Sequence, residues 1–549
     1  MLPWPRKEYR KEGYNTVKII YKDIAPGAKE DVTPNIDDLQ AFCNANDLKN
    51  DITVPQIATL EQNYWRLDGT FNIMPDDHNG TWGIWSQSMA DNGGSFSDPP
   101  VLTLNFSQPF SSVGITFYFD SYGPDWCNDL NIQWYSGETV LSSMDFEPDS
   151  TQFTCLNEVK NYDKVIITFK SMNRPYRFLK LHAIDLGWIR EYGPDELRNV
   201  SLYQAISTES EEVEINTLDF TLSSHSPVPL MFQRKQPLEV YHNDALQGVF
   251  YISQSKRTGN SIYEVEANDL IGLLSESKHM GGMYSNTPIA TVVADVMGTY
   301  KYELDYDLSI GTLSGWLPIA SRRDNLAQIA FAIGAIVDTS GSKSVRIYRR
   351  SSTTTSTFSS NRVYSGGDIE KSALITRVDV TEHSYTVSNE TKELFRQTIA
   401  SGETVEVTFS EPIHSLQITD GQLLNSGANY AVIQGTGHTV VLSGGVYNHI
   451  TEIVTILNPG INVNDFENII QVTDATLVSP LNSSSVAHRL YNKYQLRDKV
   501  NARVILNDEL PGDRVSIETE FDGQKTGIIE SLDISLSRKR TGQAVILCQ

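Results

Sequence analysis

The chain has 549 residues, which is more than one hydrophobic core usually serves, so roughly three to five domains are expected. Its 44 Lys and Arg against 68 Asp and Glu give a net charge of −24, which opposes nucleic-acid binding because phosphate contacts need cations. No apolar run is long enough to span a membrane, and the charged start lacks the apolar core of a secretory signal. We therefore expect synthesis in a cytoplasm, no membrane insertion and no sequence-specific nucleic-acid binding.

Short runs of alternating or β-branched residues, bounded by Gly and Asn, recur along the chain and predict strands. They include PVLTLNF and KVIITF in the first third, LEVYH and SVRIYRR in the middle, and TVEVTF and RVSIETEF near the end. Three stretches have helical periodicity instead, namely NTPIATVVADVMGTY from Asn286, SRRDNLAQIAFAIGAIV from Ser321 and SSVAHRLYNKYQLRDKV from Ser484. The fold class is therefore predicted to be mostly β, with minor α.

Breaks in this pattern mark segment boundaries. The first block ends near residue 190, and a joint is expected at TLVSPLNSSS, which ends at Ser485. The Ser/Thr run RRSSTTTSTFSSN at 349–361 is expected to be an exposed loop at a hairpin tip. Between these two features lies a β-rich insert without a helix signal.

The tetrapeptide KRTG occurs twice, from Lys256 and from Lys539, and its flanks are alike. Each copy follows a strand, a polar turn and a second strand that opens at Gly248 or at Gly527, and each precedes a third alternating strand. The pattern predicts one three-stranded meander with a basic turn, repeated near both ends of 195–549. The alternative is that meanders in general share this pattern.

This arrangement resembles the hub proteins of bacteriophage tails and related contractile injection machines, in which one subunit holds two similar small β-barrels. The resemblance covers about two thirds of the chain. It implies a homotrimer whose paired barrels meet a hexameric tail tube, while the opposite side meets a tail tip or spike protein. The residues that carry it are TLDFTLSSHSPVPLMFQRKQPLEVYHNDALQGVFYISQ at 217–254, MYSNTPIATVVADVMGTY at 283–300, WLPIASRRDNLAQIAFAIGAIVDTSGSKSVRIYR at 316–349, and VAHRLYNKYQLRD with LPGDRVSIET near the end.

The resemblance also implies a location in the virion tail or baseplate after assembly in the host bacterial cytoplasm, with distal tail or baseplate proteins as further partners. It implies hub barrels at 191–280 and 481–549, the latter with a C-terminal helix, a helix-containing α/β segment at 281–365 and a β-rich insert at 366–480. The basic turns are then candidate ring-interface contacts, through Lys256, Arg257, Lys539 and Arg540.

The first 190 residues resemble a galactose-binding-like jelly roll, a β-sandwich fold used for glycan or protein attachment. The resemblance is carried by DPPVLTLNFSQPFSSVGITFYFDSYGPDWCNDLNIQWYSGETVLSS and by VKNYDKVIITFKSMNRPYRFLKLHAIDLG. It implies an appended domain at 1–190 with cell-wall glycan as a partner. Trp82 and Trp85 in its entry strands are expected in the core.

The loop FDSYGPDWCND is the best candidate ligand site. Tyr122 and Trp126 could stack on a sugar face, while Asp120, Asp125 and Asp129 could accept hydroxyl hydrogen bonds or hold Ca²⁺. The alternative is an acidic turn with one aromatic side chain tucked into the sandwich. The candidate residues for glycan contact are Tyr122, Asp125 and Trp126.

The sequence contains no H-E-x-x-H, G-x-S-x-G or G-x-x-x-x-G-K-[ST] motif, so no catalytic residue, cofactor or metal site is predicted. We expect a structural virion protein, a trimeric hub with an appended carbohydrate-binding-like domain, and not an enzyme. Two alternatives remain open. One is a phage adsorption protein whose main task is glycan binding, and the other is a carbohydrate-active hydrolase with an accessory binding module.

Overall fold

The computed structural model describes residues 17–549 except positions 26, 51–56, 65–68, 70, 74–80, 210–211, 224–233, 462–465 and 537–539. The chain divides into two compact units, an N-terminal unit containing Ile19–Tyr192 and a main unit containing Gly193–Ser223 and Glu239–Gln549. Both are built chiefly from strands, which confirms the predicted mostly β class. In the part of the chain described, no helix is long and apolar enough to cross a membrane.

The N-terminal unit is a set of β-strands with two short helical turns, α1 (Ala28–Asp31) and a 3-10 turn at Ala45–Lys49. Seven of the strands form one sheet in the order β5-β10-β6-β9-β7-β8, with β2 beside β6. The strands are β1 (Val17–Ile24), β2 (Thr33–Ile36), β3 (Ile57–Ala58), β4 (Asn72–Ile73), β5 (Ile84–Met89), β6 (Val101–Phe119), β7 (Cys127–Ser136), β8 (Thr139–Phe146), β9 (Gln152–Met172), β10 (Phe178–Asp185) and β11 (Gly187–Tyr192).

Strands β6 and β9 organise the core of this unit because they pair along most of their length. Leu102 lies opposite Ile167 at one end and Phe117 lies opposite Phe153 at the other, with register shifts between the two ends. Alternate residues of these strands point inwards, as a pleated strand requires. Phe117, Ile132 and Ile167 are fully buried in the resulting apolar core.

The main unit contains the remaining described strands and helices. The helices are α2 (Leu270–Glu276), α3 (Ile289–Met297), α4 (Tyr306–Ser309), α5 (Arg322–Ile333) and α6 (Ser483–Tyr494). The strands are β12 (Leu197–Ala205), β13 (Thr217–Ser223), β14 (Pro237–His242), β15 (Ala245–Arg257), β16 (Ile262–Asn268), β17 (Lys278–His279), β18 (Gly282–Pro288), β19 (Tyr302–Leu304), β20 (Thr312–Leu317), β21 (Ala320–Ser321), β22 (Ile336–Asp338), β23 (Val345–Tyr348), β24 (Thr354–Phe358), β25 (Asp368–Lys371), β26 (Arg377–Thr398), β27 (Thr404–Thr408), β28 (Ile413–Thr419), β29 (Gly421–Ser426), β30 (Tyr430–Gly435), β31 (Thr439–Leu457), β32 (Ile469–Val472), β33 (Asp498–Ile505), β34 (Arg514–Thr519), β35 (Gly523–Ser535) and β36 (Thr541–Cys548).

Two groups of four strands in the main unit have the same order, β14-β15-β16-β13 and β34-β35-β36-β33. We call them the first and second four-stranded units. In each, the third strand in the chain has 13 residues and forms an antiparallel hairpin with the fourth. Each hairpin has one register shift, after Ile252 in the first and after Ile529 in the second. Strand β12 lies between the units because it pairs with both β13 and β35.

The KRTG tetrapeptides lie in corresponding hairpins but not at corresponding positions. Lys256 and Arg257 end β15, and Arg257 lies opposite Tyr263. In the second hairpin the first strand has already ended at Ser535 and Thr541 opens the next strand, so the described part of the tetrapeptide, from Arg540, lies later in the hairpin. The expectation that the two tetrapeptides occupy equivalent turns is therefore wrong in register, although the strand order around them is repeated.

The helix-bearing segment follows the first four-stranded unit. Helix α5 starts where Ser321 accepts a hydrogen bond from the Asp324 N–H at 3.0 Å, and it ends at Gly334 in a left-handed conformation. Helices α3 and α5 bury Val292, Val296 and other apolar side chains in a shared core. These are two of the three helices predicted, and α6 is the third.

The β-rich insert is attached by a two-stranded ribbon, since β26 and β31 pair from Arg377 opposite Leu457 to Thr398 opposite Thr439. The small sheet β27-β30-β29 lies within the chain between these strands. The Ser/Thr run before the insert differs from expectation. It forms β24, which pairs in parallel with β34 through Phe358 and Ile517, so it is not simply a loop.

Candidate functional site

The candidate loop in the N-terminal unit folds back tightly on itself. The Asp125 N–H donates to the Asp120 carbonyl oxygen at 3.0 Å, and the Tyr122 N–H donates to the Asp120 carboxylate at 2.9 Å. Gly123 sits inside this turn, where a Cβ would lie 2.6 Å from the Tyr64 ring and 2.7 Å from the Asp125 carboxylate. A side chain at Gly123 would therefore force the loop apart.

The carboxylate of Asp125 faces the interior of the unit, where its side chain is fully buried. It lies 3.2 Å from Arg177 Nε and 3.5 Å from Lys180 Nζ, and it also accepts hydrogen bonds from Arg174. The sequence predicted an Asp125 that accepts hydrogen bonds from a sugar. In this arrangement the buried cations use that carboxylate, since a buried charge needs a partner.

Lys180 is the centre of this buried charge cluster. Its Nζ donates to Glu61 at 2.6 Å, lies 3.9 Å from Asp120, and sits 4.0 Å from the centre of the Tyr64 ring. Burial acts to raise the pKa of Asp120, but His182, whose Nε2 lies 3.9 Å away, and the charge of Lys180 outweigh it, so that pKa lies below its usual range.

The cluster holds three carboxylates, and the amino and guanidinium groups around them offset their charge. Because Lys180 and Glu61 are inaccessible to solvent, a substrate cannot reach them, and the arrangement is one that stabilises the fold. This cluster could hardly be predicted from the sequence. Glu61 and Lys180 are far apart in the chain, and a carboxylate and an ammonium without a motif do not indicate a contact.

The aromatic residues of the loop are only partly accessible. Tyr122 packs edge-on against Phe71, with ring centres 4.9 Å apart. The Trp126 indole donates to the Pro148 carbonyl oxygen at 3.1 Å, and the ring contacts the apolar core. Trp85 is fully buried, while Trp82 is half-buried against a smaller core.

Asp129, the third acid proposed for Ca²⁺, is held by Lys170 at 3.0 Å. Among the described residues, no group of three His, Cys, Asp or Glu side chains is arranged to hold a metal ion. The cysteines Cys43, Cys127, Cys155 and Cys548 are all buried and free. Burial raises the pKa of the Cys127 thiol to about 12, so this thiol is not activated as a nucleophile.

The predicted ring-interface residues fall into two groups. Lys256 and Arg257 are exposed at the tip of the β15–β16 hairpin. Arg540 is 6% exposed, and its guanidinium donates to the carbonyl oxygens of Asn507 and Glu509. Arg540 therefore ties the second four-stranded unit together and does not face a partner, which corrects the expectation. Lys539 lies outside the described residues.

An open cleft of about 630 Å³ lies between the helix-bearing segment and the insert. On its wall, Asn325 Nδ2 lies 2.8 Å from His279 Nδ1, so that nitrogen accepts and Nε2 carries the proton. Nε2 lies 3.5 Å from Asp295, which also accepts a hydrogen bond from Tyr284 at 2.7 Å. These donors, His279 first, lower the pKa of Asp295. The Asp295 carboxylate is thus held as a hydrogen-bond acceptor, and this set of side chains provides no activated general base.

No protein-family model matches the chain, and no curated protein sequence matches it. Several solved structures have partial likeness to it, and three of them are tail proteins. A tail protein from Neisseria meningitidis is 11% identical, with 64% of this chain and 95% of that chain covered, at a TM-score of 0.40. A 43 kDa tail protein of prophage MuSo2 from Shewanella oneidensis is 9% identical, with 65% of this chain and 95% of that chain covered, at a TM-score of 0.42. A prophage tail protein from Listeria monocytogenes is 9% identical, with 65% of this chain and 91% of that chain covered, at a TM-score of 0.39. At TM-scores below 0.5 the likeness is weak, so the assignment of function depends on the geometry of the chain.

Proposed function

We propose that the chain is a structural protein of a phage-type tail, a trimeric hub that joins a hexameric tail tube to the tail tip. The observation that carries this proposal is the repeated strand order of the two four-stranded units, joined through β12. Three copies of such a chain present six similar β surfaces. A closed ring with threefold symmetry can then face a sixfold ring on one side and a threefold tip on the other.

The character of the described side chains supports a structural role. The buried carboxylates of the N-terminal unit are enclosed by cations, and Asp295 in the cleft is held by His279 and Tyr284. The proposed location is the virion tail or baseplate after assembly in the host bacterial cytoplasm. The proposed partners are two further copies, the tail tube, distal tail or baseplate proteins, and a tip or spike protein.

The test is the mass of the full chain in solution, alone and mixed with a tail-tube protein, measured by light scattering. A particle near three times 61.4 kDa, bound to the tube, is expected. The tube partner belongs in the test because a hub can remain monomeric until assembly. A chain that stays monomeric at high concentration with the tube protein present would overturn the proposal.

A second candidate function is glycan binding by the N-terminal unit, through the loop of Tyr122 and Trp126. One observation favours it. In the segment that packs on this loop, Tyr176 is 48% exposed and has a φ of 54°, a backbone conformation that bulky residues rarely adopt and that recurs at ligand-binding sites. Arg174 in the same segment is fixed by hydrogen bonds to Gly123 and Asp125. Retention of the chain on purified cell walls, with and without Tyr176→Ala, tests this role.

A further inference from the structure

The second four-stranded unit has an opening in its wall. On one side, β24 pairs with β34 only as far as Ile517. On the other side, β25 pairs with β33 only over Asp498–Asn501. Strands β24 and β25 do not pair with each other along this described stretch. The end of β34, at Glu518 and Thr519, therefore has no described strand on its outer edge, and an unpaired edge favours contact with another chain.

A cavity of about 440 Å³ marks this opening, and we call it the acidic slot. At its rim, the tip of the β34–β35 turn carries Phe521, which is 67% exposed. An exposed aromatic side chain beside an open cavity is a feature of interfaces more than of free surfaces. The slot is lined by Asp368, Ile369, Lys371, Asp498, Phe521 and Asp522.

The charge around the slot is negative. Asp368, Asp498 and Asp522 line it, and the exposed Glu520 flanks Phe521, against the two lysines Lys371 and Lys525. The lysines are occupied by carboxylates of the slot itself. Lys525 lies 2.7 Å from Asp498 and 3.2 Å from Asp522, and Lys371 lies 3.4 Å from Asp498. The remaining carboxylate charge is suited to a basic partner.

The β15–β16 hairpin of the first four-stranded unit has the complementary character. Its tip is exposed from Gln254 to Thr258 and carries Lys256 and Arg257 against one acid, the exposed Glu264 opposite Lys256, so the tip keeps a net positive charge. The Arg257 guanidinium donates to the Gly259 carbonyl oxygen at 3.0 Å and to that of Asn260, which holds the turn in shape before any partner arrives. Ile262, 41% exposed, adds an apolar surface for an aromatic side chain.

We propose that the β15–β16 hairpin of one copy docks in the acidic slot of the next copy, with Lys256 facing Glu520 and Ile262 facing Phe521. The two surfaces differ, so the contact is head-to-tail, and such contacts close into a ring when the rotation between copies allows it. The inference rests on the proposed trimer and names the surfaces that form it. It also gives the exposed basic turn a defined partner.

The test is a charge swap in the full chain, read as trimer mass with tube protein present. Lys256→Glu and Glu520→Lys are each expected to raise the concentration at half-assembly about tenfold or more, because each places like charges together. The double variant is expected to restore assembly. Lys392→Glu, on the exposed part of β26, is the matched control with the same change in charge.

Higher salt is expected to weaken the parent ring and to have less effect on the Lys256→Glu ring. Trimers of unchanged strength in both single variants would overturn the docking, while leaving the trimeric hub intact. Weaker assembly in the single variants without recovery in the double variant would also overturn the pairing of Lys256 with Glu520. A parent chain that never forms a trimer would instead overturn the proposed function, and the docking with it.

Discussion

Trp316 and Asn429 join the helix-bearing segment to the insert. The Trp316 indole donates to Asn429 Oδ1 at 2.6 Å, while Asn429 Nδ2 donates to the carbonyl oxygens of Met280 and Leu317 at 2.9 and 2.8 Å. Asn429 is fully buried. Gly281 makes room for it, because a Cβ there would overlap the Asn429 amide and the Leu317 carbonyl oxygen.

Substitution Asn429→Ala is expected to loosen this joint. It leaves an indole N–H and two carbonyl groups without partners, at a cost of about 2–3 kcal/mol in the free energy of local opening. Hydrogen exchange at the amides around Met280 and Trp316 should therefore become faster. Asn425→Ala, at an exposed position of β29, is the control and should leave these amides unchanged. Equal exchange in both variants would contradict the role given to Asn429.

A pair of histidines makes the insert ribbon sensitive to acid. His383 Nε2 lies 3.0 Å from the Thr473 carbonyl oxygen and so carries a proton, while His383 Nδ1 lies 2.9 Å from His449 Nε2. Burial first, and then the neighbouring His449, lower the pKa of His383 below its ordinary 6.5, while Asp474 acts in the opposite direction. The folded state thus binds fewer protons than the unfolded state below pH 6.5.

The stability that His383 contributes is therefore complete above about pH 6.5 and is lost as the pH falls through the folded-state pKa. We expect the urea midpoint of the main unit to fall between pH 7.5 and 5, and to fall less in His383→Gln, which keeps a donor for Thr473 but does not titrate. His488→Gln, on an exposed position of α6, should behave as the parent does. An unchanged pH dependence in His383→Gln would contradict this expectation.

Lys180→Met tests the buried charge cluster. The substitution leaves Glu61 without the ammonium group 2.6 Å away, and breaking a buried ion pair in this way costs about 3–5 kcal/mol. The N-terminal unit should unfold at a lower temperature than in the parent, and the fluorescence of the buried Trp85 can be used to monitor this unfolding. Lys160→Met, whose side chain is 67% exposed, should change little.

Adding Glu61→Gln to Lys180→Met should recover part of the loss, since the second change removes the unpaired charge. Two substitutions whose costs simply add would indicate that Lys180 and Glu61 stabilise the unit independently.

Trp126→Ala separates a packing role from a ligand role. Because the indole is half-buried and bonded to Pro148, its removal is expected to cost about 2 kcal/mol in the stability of the N-terminal unit. Tyr176→Ala, at a more exposed position, should leave the thermal unfolding temperature unchanged. If Trp126→Ala unfolds as the parent does, the indole belongs to the surface and is free to contact a glycan.

The sequence predicted those elements whose signal is local. The helical periodicity of SRRDNLAQIAFAIGAIV marked α5, and the alternating PLEVYH marked β14, because both patterns depend on neighbouring residues. The Ser/Thr run was predicted to be a loop, which is wrong. It forms the strand β24 because it pairs with β34, which contains Ile517 and lies far along the chain. Local composition contains no information about such a partner.

The candidate site shows the same limit. The loop with Asp125 was found from its composition, but the direction of that carboxylate depends on Arg177, just before β10, and Lys180, within β10, and these two residues belong to no motif. Arg540 was grouped with Arg257 because the four letters around them match. Its burial follows from carbonyl groups at Asn507 and Glu509, which the repeat does not contain.

The ends of segment 399–438, at the tip of the ribbon, lie side by side, since Thr398 is paired with Thr439 and their hydroxyl groups are 2.9 Å apart. Within this segment, Asn429 and strand β28 hold it to the rest of the unit, because β28 pairs with β31 from Ile413 opposite Val446 to Thr419 opposite Val441. The parts of the segment outside these two attachments can therefore change in length and diverge in evolution without moving either strand of the ribbon. These parts are suitable positions for grafting a foreign domain or a fluorescent reporter onto the assembled particle.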